Sequence, residues 1–145
     1  MELNNYFDIQ PYSLDKITKS KYLESYFNEL TQFHYENCTI YRKMLDAVGY
    51  NYKLERHYSE IPFIPVRLFK MFDLYSVSKG DIVKTMTSSG TSGQNVSKIF
   101  LDKKAALNQS KALNNIVSTY LGSKRTPMII IDSEAVLKNR KMFSA

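Results

Sequence analysis

The sequence predicts an α/β protein, with N-terminal helices, then a β-hairpin carrying a Ser/Thr/Gly loop, then a strand–helix–strand unit. Three observations predict it. Apolar residues recur at helical spacing over the first fifty positions. Two short runs rich in β-branched residues then flank a stretch of serine, threonine and glycine. A long amphipathic segment follows, and a short, wholly apolar run comes after it. The chain is read as one unit over 1–145, helical over 1–60, an extended strap over 61–80 and an α/β part over 81–145.

Leu23, Phe27 and Leu30 fall on one helix face, and Tyr41, Met44, Leu45 and Val48 repeat the pattern, so helices are expected across much of 14–48. Gly49 stands where a helix end favours positive φ. In Ile61-Pro62-Phe63-Ile64-Pro65-Val66 two prolines withhold ladder donors and push their predecessors to extended backbone. This reads as an apolar strap over the core, followed by a helical turn through Leu68-Phe69-Lys70. Ile82–Thr87 and Ser97–Leu101 form the expected hairpin around 82–101. Asp102 suits the N-cap of a helix over 103–121, whose apolar face is Leu113, Ile116, Val117, Tyr120 and Leu121 and which Gly122 ends. Pro127-Met128-Ile129-Ile130-Ile131 reads as a short buried strand.

The composition is that of an ordered globular chain, 43% hydrophobic, 23% charged and 13% aromatic. No apolar run approaches the roughly 18–20 residues of a membrane span. The start, Met1-Glu2-Leu3-Asn4-Asn5, lacks a signal-peptide pattern, and the single cysteine, Cys38, makes no internal disulfide. These features together predict a cytoplasmic protein. The net charge of +6 is unevenly spread: residues 1–78 sum to −1 and residues 79–145 to +7. That excess fits either an anionic partner or a solvated basic face. Most of the 11 tyrosines lie in the first, slightly acidic half, which argues against stacked nucleic acid.

The informative loop is Thr87-Ser88-Ser89-Gly90-Thr91-Ser92-Gly93. A polyphosphate needs many donors on a backbone that can approach closely. Glycine permits that approach and the φ > 0 turns that point successive N–H groups inward; serine and threonine add hydroxyls. Lys98 is the first cation after the loop. By composition alone the stretch is either a phosphate loop or a plain polar hairpin loop. It matches neither G-x-x-x-x-G-K-[ST] nor G-x-G-x-x-G. The G-x-S-x-G elbow also fails, for want of a residue between Ser92 and Gly93. His34 and Cys38 share a helical spacing without further metal ligands nearby, and Cys38 reads as packing. His57 lies in a polar linker, and no catalytic residue is assigned.

In residue order, Ser88-Ser89-Gly90-Thr91-Ser92-Gly93 resembles the phosphate loop of the adenylate-forming ligases. Phe33–Arg42, Ile61–Lys70 and Val83–Gly90 resemble, more narrowly, the acyl-protein synthetase (LuxE-type) family, over roughly residues 20–140. The resemblance implies a bacterial, ATP-dependent enzyme that activates a fatty acid or other carboxylate as acyl-AMP, with Mg²⁺, and passes the acyl group to a thiol acceptor. It implies that Ser88, Ser89, Gly90, Thr91, Ser92, Gly93 and Lys98 bind the nucleotide phosphates. Lys98 stands further past the second glycine than the lysine of many adenylate-forming enzymes. Family members are longer, so the chain is expected to be the N-terminal part of that fold, inactive alone and prone to self-association. The competing reading is a non-catalytic interaction module with a vestigial loop.

Overall fold

The computed structural model describes residues 9–88, 96–127, 129, 131 and 142–144. Helix α1 spans Lys16–Asn37. Asp15 caps it: its carboxylate accepts from the N–H of Ile17 at 2.8 Å and of Thr18 at 3.0 Å, and from the Thr18 hydroxyl at 2.6 Å. Helix α2, Thr39–Ala47, begins one residue after α1 stops. The break is Cys38, at φ −122° and ψ 102°. Its N–H donates to the His34 carbonyl at 2.8 Å and its carbonyl accepts from the Arg42 N–H at 2.9 Å. The last carbonyls of α1 would otherwise lack partners. Arg42 folds back to supply them, donating through Nε to Tyr35 O at 2.9 Å and through a terminal nitrogen to Glu36 O at 2.8 Å. Gly49 has the expected positive φ, 66°, at the end of α2.

The break turns α2 back onto α1 and creates the core. Cys38, Tyr41 and Leu45 are its buried centre, and Tyr35, Ile40, Tyr50, Ile64 and Leu74 pack around them. The proline strap, residues 61–66, lies in no helix or strand and reaches this core through Ile64, while Phe63 is 87% exposed. The short helix α3, Leu68–Met71, follows.

The chain from Asp73 to Ser76 joins the two halves by alternation. Leu74 packs in the helical core, and the Ser76 hydroxyl lies 2.6 Å from His34 Nδ1. Asp73 pairs with Lys98 at 3.2 Å, and the Tyr75 ring meets Phe100 edge-on at 5.6 Å. Even positions thus face the helices and odd positions the hairpin, as extended backbone dictates.

Strand β1 is Ile82–Thr87 and β2 is Lys98–Asp102. They pair antiparallel from Ile82↔Asp102 to Thr87↔Lys98, with an irregularity between Ile82 and Lys84. Helix α4 covers Lys103–Leu121. Asp102 caps it, accepting from Ala105 N–H at 2.6 Å, and Gly122 ends it at φ 78°. A third strand, β3, Met142–Ser144, runs parallel to β1, giving the order β2-β1-β3. The strand–helix–strand order is therefore present, but its last strand is not 127–131. Pro127, Ile129 and Ile131 are in no strand, and the two isoleucines are 90% and 96% exposed. Met128 and Ile130 lie outside the described residues. The strand added to β1 is instead Met142–Ser144, which pairs with Thr85–Thr87; an apolar run sets a strand's chemistry and not its partner.

Candidate functional site

The candidate site is built on the loop end of the hairpin. Thr87↔Lys98 is the last paired position of the ladder. Just beyond it the Ser88 N–H donates to Ser97 O at 3.1 Å, and the Ser97 N–H donates to Ser88 Oγ, also at 3.1 Å. The Ser88 hydroxyl thus adds one more rung to the ladder and fixes the neck from which 89–95 depart. Ser89, Gly90, Thr91, Ser92 and Gly93 lie outside the described residues. At the neck Ser97 Oγ is buried without a hydrogen-bond partner among the described residues. A buried hydroxyl left so costs about 1–3 kcal/mol, which makes it a group suited to a ligand oxygen.

Of the residues singled out from sequence, the structure brings Ser88 and Lys98 to this neck. Lys98 opens β2, and its ammonium is held by Asp73 Oδ1 at 3.2 Å, both side chains about half exposed. Beside this pair, the Lys79 ammonium lies 5.8 Å from the centre of the Tyr75 ring. Sequence reasoning missed Asp73, Tyr75 and Ser97. Ser97 was within reach, since it flanks the loop; Asp73 lies 25 residues from Lys98, and no local pattern links them.

The residues set aside as chemistry have structural roles. His34 is partly buried against Tyr41 and bonded to Ser76, and this partial burial pushes its pKa below the ordinary histidine range. Cys38 is 6% exposed at the helix break, rather than within a continuous helix. His57 accepts the Ser59 N–H, capping the 3₁₀ turn Tyr58–Glu60. Its Nδ1 also lies 2.7 Å from Ser59 Oγ and its Nε2 3.4 Å from Ser20 Oγ, so both ring nitrogens are engaged by neighbouring groups. Among the described residues no group of three or more His, Cys, Asp or Glu is placed to hold a metal ion, and no helix is long and apolar enough to cross a membrane.

The sequence profile of the family described as acyl-protein synthetase, LuxE, matches residues 2–143. The chain belongs to the acyl-protein synthetase (LuxE) family. Neither a curated protein nor a solved structure matches it.

Proposed function

We propose that the chain forms the phosphate-holding part of an ATP-dependent ligase that activates a long-chain fatty acid as acyl-AMP and passes it to a thiol. The observation that supports this reading best is a family match over residues 2–143 on a chain whose Ser/Thr/Gly segment joins two paired strands. In this reading the carboxylate attacks the α-phosphate and pyrophosphate leaves. Donors at Ser89, Gly90, Thr91, Ser92 and Gly93 hold the β- and γ-phosphates as negative charge moves onto the leaving group. Ser88 holds the neck, and Lys98 supplies a cation beside it. Mg²⁺ would shield the same phosphate charge, carried mainly by phosphate oxygens and water, as is usual for this ion. The donor set fits: hydroxyls and an ammonium at the neck, and a half of the chain carrying +7.

Cys38 is unsuited to receive the acyl group, because it is 6% exposed inside the core. In this reading neither the acceptor thiol nor the adenine site is assigned to the described residues. The test is ATP–pyrophosphate exchange driven by a long-chain fatty acid, in the full enzyme that carries this sequence. Gly90→Val places a side chain against the phosphates and should lower exchange by about 10²–10³-fold. Cys38→Ala removes one buried sulfur, costs about 1 kcal/mol of stability and leaves exchange near wild type. Normal turnover and normal KM for ATP in a folded Gly90→Val protein would refute the assignment.

A further inference from the structure

We propose that Asp73 is the resident counter-ion of Lys98, a positioning residue that holds the ammonium at the loop neck until nucleotide phosphates displace it. The proposal rests on the phosphate-loop reading above.

Three features carry it. First, the pair joins two parts of the chain 25 residues apart, Asp73 in the extended segment before β1 and Lys98 at the first position of β2. Lys98 directly follows Ser97, whose backbone closes the loop neck with Ser88. Secondly, Asp73 is on a mounted segment. Leu74 is packed into the helical core, Tyr75 is set edge-on against Phe100, and the Ser76 hydroxyl lies 2.6 Å from His34 Nδ1. The carboxylate is therefore presented to the hairpin by its neighbours. Thirdly, the two side chains are 46% and 54% exposed. A pair so wetted is weak and easily exchanged.

A nucleoside triphosphate brings several negative charges to the same ammonium, and charge-assisted bonds to its oxygens outcompete a single half-exposed carboxylate. Once Lys98 has turned to phosphate, the Asp73 carboxylate is left beside the site and repels the ligand. Asp73 thus keeps the lysine ordered in the empty protein and weakens every phosphate ligand by its own charge. The burden falls hardest on ligands with too few phosphates to displace it.

The test uses Mg-ATP, with adenosine as control, on the intact protein. Asp73→Asn keeps the shape and removes the charge; it should tighten Mg-ATP by about 3–10-fold at low salt and leave adenosine unchanged. The gain should shrink as salt screens the site. Asp73→Glu retains the charge and should retain wild-type affinity. By NMR, the Lys98 side-chain signals of wild type and Asp73→Asn should differ without nucleotide and converge at saturating Mg-ATP. Unchanged or weaker ATP binding in Asp73→Asn, or persistent separation of the Lys98 signals, overturns the proposal. If Lys98→Ala still weakens ATP in that case, the phosphate-loop reading survives. If Lys98→Ala and Gly90→Val both bind Mg-ATP as wild type does, the loop reading fails and this inference falls with it.

Discussion

His34 and Arg42 show how single side chains hold the helical half. His34 is partly buried, and its folded pKa lies below its unfolded value because desolvation disfavours the charged ring. A depressed histidine binds its proton more readily when unfolded. Its contribution is complete above the unfolded pKa, about 6.5, and is lost as pH falls through the folded value. Denaturant titrations between pH 8 and pH 5 should show stability falling on the acid side, and His34→Gln should flatten that slope. An equal slope in the variant would contradict the assignment. Arg42 donates to two carbonyls at the end of α1. Arg42→Met keeps much of the stem and removes both donors, so it should cost about 1.5–3 kcal/mol in urea unfolding.

At the scale of elements, the local signals were legible and the non-local ones were not. Gly49, Asp102 and Gly122 do what their residue types imply, because caps are set by a few neighbouring backbone groups. Asp102→Ala should cost about 1 kcal/mol and lower helicity. Gly122→Ala should cost about 1–3 kcal/mol, because φ 78° with ψ 175° is a region that residues with a Cβ scarcely enter. Both are read by far-UV circular dichroism during thermal unfolding. The break at Cys38 was not legible, since apolar periodicity runs on through both helices and the turn depends on Arg42 returning to α1. Nor was β3: the apolar run at 127–131 has the composition of a buried strand, yet Met142–Ser144 holds the place beside β1. Composition gives a strand's chemistry and not its partner. At the candidate site, Ser88 and Lys98 could be named from loop chemistry; Asp73, across 25 residues, could not.

Across the whole molecule, the two halves differ in how much they bury. The helical half has a closed core around Cys38, Tyr41 and Leu45. Helix α4 buries no residue, and Leu113, Tyr120 and Leu121 are each more than 60% exposed. The apolar face expected from sequence is thus present but uncovered, and uncovered apolar surface beside sheet edges favours association. Light scattering should show species larger than a monomer that grow with concentration, and Leu113→Glu with Tyr120→Glu should shift them towards monomer. A clean wild-type monomer over a wide concentration range would count against this.

The charge division, −1 over residues 1–78 and +7 over 79–145, puts the positive excess in the same half as the Ser/Thr/Gly loop, as a phosphate-binding role requires. The most direct test of the central claim is a backbone NMR titration of the protein with Mg-ATP. The account predicts that the amides of Ser89, Gly90, Thr91, Ser92, Gly93, Ser97 and Lys98 move with saturable dependence on nucleotide, while those of the core residues Tyr41 and Leu45 stay in place. Saturable ATP binding that leaves the 89–93 and 97–98 amides unmoved would contradict it.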